Sequence, residues 1–186
     1  FVRLVKPRIA LLENVSEILS PCTIDGSKYY AWFEVAKAFA KEGYIPLCLK
    51  VNAKYVGAAQ NRPRFLLIAL REDVYKQFRK NCNKDDLLLH ALKESYNLTL
   101  VMKKIKLFEN KFANNKITEI ETKYLINKIK PKYGSLKCFD IDKDGELFKN
   151  TILSPLIKPI IDKNINEEFV SVKDAIDDLR GVNIPE

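Results

Sequence analysis

The apolar pattern of the chain begins with a short run at residues 8–12 (RIALL), long enough for a buried strand and too short for a helix. Across residues 30–41, Phe33, Ala36, Phe39 and Ala40 recur three and four apart, the spacing of one helix face, and Gly43 supplies the stop. Ile45, Leu47, Leu49 and Val51 alternate with less apolar positions, as a half-covered strand would, whereas residues 65–70 (FLLIAL) are apolar throughout and predict a fully buried strand. The order strand, helix, strand, strand describes the closing portion of an α/β sheet. Its last two strands are expected as an antiparallel pair joined by the loop at 53–63.

After residue 70 the chain becomes rich in Lys, Asn, Ile and Leu. One amphipathic helix is predicted after Asp85-Asp86, with Leu88, Ala91, Leu92 and Ser95 on one stripe. A second carries Ile117, Ile120, Tyr124 and Ile129 and is stopped by Pro131. Both are expected to pack against each other and the sheet. Lys103, Lys104 and Lys106 form a small basic cluster that reads first as a solvated helix face. Asp140, Asp142, Asp144 and Gly145 begin like a calcium loop, but the twelfth position, which needs a bidentate carboxylate, is Thr151. A tight turn at Asp144-Gly145 between short strands at 137–141 and 146–148 accounts for the same residues with less.

Composition narrows the function classes. With 186 residues, 47% of them hydrophobic, the chain can bury a real core. Its 32 Lys+Arg against 24 Asp+Glu leave a net charge of +8, which favours a polyanionic partner. Cys22, Cys48, Cys82 and Cys138 are widely spaced and there is 1 His, so neither a zinc knuckle, a redox motif nor another metal site is expected. No apolar stretch has membrane-spanning length and no leader precedes the first strand, so a cytoplasmic location is expected. The start at Phe1, within what reads as a structured run, suggests a portion of a longer protein.

The candidate chemistry lies in two short motifs. Glu13-Asn14-Val15 follows the first strand, where open α/β sheets bind ligands, and Gln60-Asn61-Arg62-Pro63-Arg64 opens the last one. In an extended segment Arg62 and Arg64 face the same way, so two guanidinium groups could hold a phosphate, a base carbonyl or the Glu13 carboxylate. The plainer readings are a loop-closing carboxylate at Glu13 and a pair of surface cations.

The stretches KPRIALLENV, LCLKVNAKYVGAAQNRPRFLLIAL and VSVKDAIDDL, in that order, closely resemble the cytosine-5 DNA methyltransferase family. The resemblance runs throughout residues 1–70, returns briefly at 170–179 and is slight between. It implies the second half of a Rossmann-like, S-adenosylmethionine-dependent methyltransferase sheet (residues 1–70), a mostly helical insertion (71–169) and a segment leading toward an absent target-recognition domain (170–186). It also implies an enzyme of restriction-modification or phage type that flips a cytosine out of double-stranded DNA, attacks C6 with a cysteine thiolate and methylates C5. Glu13 matches the glutamate that engages N3 and the exocyclic amine of the base. Arg64 matches the arginine that holds O2 and orients the glutamate. Arg62, with Gln60 beside it, matches a contact to backbone phosphate or the active-site loop, and Asn14 a residue that braces its neighbouring loop.

Two family features are missing from the sequence: the Pro-Cys nucleophile loop and the glycine-rich cofactor loop, both of which precede the glutamate strand in the family. Pro21-Cys22 follows Glu13 and is a poor substitute. The resemblance therefore implies that this stretch is inactive alone, its nucleophile coming from missing segments or a second chain. Two alternatives stay open: the tRNA-methylating branch of the family, and a non-catalytic relative that binds nucleic acid or a partner protein.

Overall fold

In the computed structural model, the residues described are 1–56, 58–81 and 87–144. The predicted strand pair forms as β4 (Tyr44–Asn52) and β5 (Pro63–Arg71), antiparallel from Tyr44↔Arg71 to Asn52↔Pro63. The first strand, β1 (Ile9–Val15), follows a single helical turn, α1 (Val2–Val5), and lies antiparallel on the other edge of β5, from Ile9↔Leu70 to Val15↔Arg64. A three-residue strand, β6 (Cys138–Asp140), runs parallel to β4 on its outer edge, giving the order β1-β5-β4-β6. Among the described residues β6 pairs only with Cys48 to Lys50, so Pro46 has no described neighbour on that side and its missing N–H breaks no ladder among them. The molecule is thus mixed α/β with a mixed sheet, as the alternation of elements predicts.

The pleat divides the core in two. Phe65, Leu67 and Ala69 face helix α2 (Ala31–Lys41), which contributes Trp32, Phe33, Ala36 and Ala40 to the cluster. On the opposite face Ile45, Leu47 and Leu49, with Leu66, Ile68 and Leu70 beside them, pack against Tyr75 and Phe78 of α3 (Glu72–Asn81). Helix α4 (Leu87–Ala113) serves both clusters: Leu92 joins the second, and Leu98, Met102 and Ile105 the first. At the crossing, the Thr99 hydroxyl lies 2.8 Å from the Tyr44 carbonyl oxygen, which fixes α4 to the start of β4. Gly43 ends α2 at φ 84, in the left-handed region where a side chain would be strained.

Several expectations change. Residues 22–29 form a separate hairpin, β2 (Cys22–Ile24) and β3 (Ser27–Tyr29), across Asp25-Gly26 with φ 49 and 73, the turn that matches strand twist. Helix α5 (Glu119–Ile129) starts at a Thr118/Glu121 capping box and stops before Pro131, but of the predicted stripe within it only Ile129 packs. Ile120 and Tyr124 are 82% and 67% exposed, whereas Thr122 is buried and Ile126 and Ile129 pack on the first cluster. The strand expected at 137–141 ends at Asp140, and the helical turn α6 (Ile141–Asp144) replaces the start of the predicted hairpin. Its cause is local, since Asp144 accepts the Asp140 N–H at 3.0 Å and binds Lys137 at 2.8 Å. Thr151, the strand at 146–148 and the block at 170–179 lie outside the described residues.

Candidate active site

Cross-strand partners in an antiparallel ladder point to the same face, so the register sets which side chains can meet. Glu13 lies opposite Leu66, and Val15 opposite Arg64, so Glu13 and Arg64 are diagonal neighbours on the face away from α2. A long side chain can span that diagonal. Arg64 Nε is 2.6 Å from Glu13 Oε1, with 20% of the Arg64 side chain and 53% of the Glu13 side chain exposed. Arg64 Nη1 also donates to the Pro63 carbonyl at 3.1 Å, turning the guanidinium along the strand start. Glu13 sits within β1 and not just beyond it, because Asn14↔Phe65 and Val15↔Arg64 continue the ladder.

The other predicted residues divide. Asn14 alternates to the α2 side of β1, and its Oδ1 accepts the Val15 N–H at 2.8 Å, a brace within the last step of the strand. Gln60 and Arg62 are exposed on the loop that precedes β5 and make no contact with Glu13. Arg62 lies just before β5, at the end of a bend in which its N–H reaches the Gln60 carbonyl at 3.1 Å.

The residue that organises this loop is Asn52, at the end of β4. It is 7% exposed, its Oδ1 accepts the Arg62 N–H at 3.0 Å, and its Nδ2 donates to Asn61 Oδ1 at 2.8 Å. One buried amide thereby ties the outgoing strand to the segment that leads into Arg64. The sequence holds a faint signal for it, a polar residue closing an apolar strand.

Among the described residues none of the three thiols stands at the pair. Cys48 is fully buried opposite Leu67 on the α2 side, and Cys138 is its register partner on β6. Burial pushes the Cys48 thiol well above its ordinary value, and burial with the nearby Asp140 raises Cys138 to about 12, so neither is primed as a nucleophile. Cys22 belongs to the separate hairpin, its sulfur 3.6 Å from the Tyr29 carbonyl oxygen. The aspartates of the calcium-like stretch are also engaged: Asp140 holds Lys50 at 3.0 Å and Asp144 holds Lys137. Of the basic cluster on α4, Lys103 and Lys106 are not free in solvent but bind Glu72 and Glu42 at 2.7 and 2.6 Å.

An acid and a forked cation side by side on a strand can read a flat, polar ring from its edge, the carboxylate taking ring and amine hydrogens and the guanidinium a carbonyl. The family model for C-5 cytosine-specific DNA methylases matches residues 1–173, so the match continues through α3, α4, α5 and β6. The chain belongs to the C-5 cytosine-specific DNA methylase family. No curated protein and no solved structure matched the chain. The enzyme class is therefore DNA cytosine methyltransferase, with DNA as the family's substrate. Among the described residues, no helix is long and apolar enough to cross a membrane.

Proposed function

We propose that Glu13 and Arg64 form the base-handling part of a DNA cytosine-5 methyltransferase and act on a cytosine turned out of the duplex. The observation that carries this reading is the 2.6 Å contact at a Glu13 side chain that stays about half exposed. In that role Arg64 holds the base carbonyl O2, while Glu13 engages N3 and the exocyclic amine. Sharing a proton with N3 draws electron density from C6, which makes the ring a better acceptor for a thiolate. Arg62 and Gln60, on the neighbouring loop, meet the DNA backbone. Turning the base out costs a few kcal/mol of stacking, which cationic contacts to phosphate offset.

The methyl donor implied by the family is S-adenosylmethionine. Gly26, Gly43 and Gly134 each have open space beside the α-carbon and serve turns, so none forms the close-approach cradle that a glycine-rich cofactor loop provides. The described residues do not fit the donor, and no step is derived through it. No strand register brings a described thiol to the pair, and the nucleophile is assigned to residues outside the described ones. The Rossmann-like half-sheet fits the order β1-β5-β4, and a restriction-modification role agrees with the same reading.

The test uses the full enzyme, duplex DNA and labelled donor. Glu13→Gln should abolish most methyl transfer while leaving duplex affinity unchanged, and turnover equal to that of the parent would remove the assignment.

A further inference from the structure

On the face of the sheet that carries Glu13 and Arg64, α3 and the first part of α4 enclose a cavity of about 490 Å³. Tyr75 and Arg79, four apart on α3, form one wall, and His90, Lys93, Tyr96 and Asn97 on α4 form the other. Tyr75 is 3% exposed and stacks on Tyr96 with ring centroids 5.1 Å apart, so the floor is packed and apolar. Arg79, His90 and Lys93 are exposed and make no ion pair among the described residues.

The charge balance of this cleft differs from that of its neighbours. No carboxylate stands in its described lining, and Glu94, the one acid in α4 before Glu109, lines a separate cleft with Lys50 and Asp140. The cavity beside Arg71 and Lys103 contains Glu42, Glu72 and Asp73, each already bound to a cation. Cations with no carboxylate beside them in the described lining favour an anion. Arg79 offers a planar fork suited to two phosphate oxygens, Lys93 a point charge, and Asn97 an amide donor.

We infer that the α3–α4 cleft, through Arg79, His90 and Lys93, binds a backbone phosphate of duplex DNA outside the base-handling site. This inference rests on the DNA reading above. The lining side chains face a pocket and not a groove of base edges, so the contact adds affinity irrespective of sequence and anchors the duplex while a base is turned out.

The experiment measures binding of a labelled short duplex to the full chain by fluorescence anisotropy between roughly 50 and 200 mM salt. Arg79→Ala/Lys93→Ala should weaken binding roughly tenfold at low salt and flatten the slope of log K against log salt by about two. Lys93→Glu alone should act in the same direction, and thermal unfolding followed by circular dichroism should show both variants folded. The charge-matched control, Lys111→Ala/Lys128→Ala, should leave the slope near that of the parent.

An equal loss in the control would reduce the effect to net charge and overturn the site. So would a larger loss for single-stranded RNA than for duplex, or saturable binding of inorganic phosphate with duplex binding unaffected. If the parent chain binds duplex and the double variant binds it equally well, this site alone fails. If the parent chain binds no duplex, the DNA reading fails with it.

Discussion

Where β1 finishes and β5 begins, Glu13 meets a single cation, Arg64, and about half of its side chain stays in water. Where β5 runs into α3, the acids are enclosed: Glu42 is held by Arg3 at 2.7 Å and Lys106 at 2.6 Å, Glu72 by Lys76 at 2.8 Å and Lys103 at 2.7 Å. Their side chains are 12% and 18% exposed. Hydrogen bonds from Arg3 and then Lys106 hold the Glu42 carboxyl at about 2, so it stays ionised and committed. An acid enclosed between two cations gives up a partner to take a ligand, whereas a half-exposed acid is reached directly from solvent. Identical residue types thus tie helices together at one end of the sheet and remain available for chemistry at the other.

The largest effect expected from this contrast falls on Glu13. Glu13→Gln should lower turnover about 10²- to 10³-fold in a methyl-transfer assay, with the melting temperature unchanged because the side chain is half in water. Arg64→Lys should cost about ten- to a hundredfold in the same assay, the worth of one charge-assisted hydrogen bond, since an ammonium cannot reproduce the fork. Glu42→Gln should leave turnover as it is. A reversed ranking, with Glu42 controlling turnover and Glu13 controlling stability, would break the distinction.

Much of the frame was legible because its apolar spacing is strong. The β4–β5 hairpin, β1 and α2 follow from their apolar runs, but the coverage does not: Ile9 and Leu11 of β1 are exposed, β4 is buried on both faces from Tyr44 to Leu49, and it is β5 that alternates. The diagonal contact of Glu13 with Arg64 follows once those strands pair in register. The β2–β3 hairpin was signalled by Asp25-Gly26 but overlooked, since its strands are three residues each and exposed. Helix α3 is charged, with Val74, Tyr75 and Phe78 as its apolar positions, too few to reveal a face. On α5 Ile129 packs as its spacing predicts, but Ile120 and Tyr124 fit the pattern as well as Ile126 does, and only the docking onto α4 leaves them in water. Asn52 shows the general difficulty, as a buried amide and a surface amide are the same letter.

Asn52→Ala tests whether the loop must be held for Arg64 to reach Glu13. Three hydrogen bonds to a nearly enclosed amide are lost, so urea denaturation should show about 1–3 kcal/mol of destabilisation with a smaller fall in turnover than Glu13→Gln. Acid titration addresses the opposite end. The folded Glu42 carboxyl, at about 2, lies below its ordinary 4.5, so its contribution is present above about pH 4.5 and fades as pH falls toward 2. Parent and Glu42→Gln should therefore differ in melting temperature at neutral pH and converge near pH 2. A gap that widened in acid would contradict the ion-pair account.

The smallest effect is expected at Cys22, which is nonetheless the sharpest check on how the work is divided. It is the exposed thiol among the described cysteines, and it follows a proline, as a nucleophile of this family would. Yet it pairs with Tyr29 in a two-stranded hairpin outside the main sheet, and no strand register ties it to Glu13 or Arg64. Cys22→Ser should accordingly leave methyl transfer by the full enzyme within about twofold of the parent, a change of less than 0.5 kcal/mol in the barrier. Loss of activity, with Glu13 and Arg64 intact, would mean that the hairpin swings its thiol onto the base, and the nucleophile would then belong to this stretch of chain.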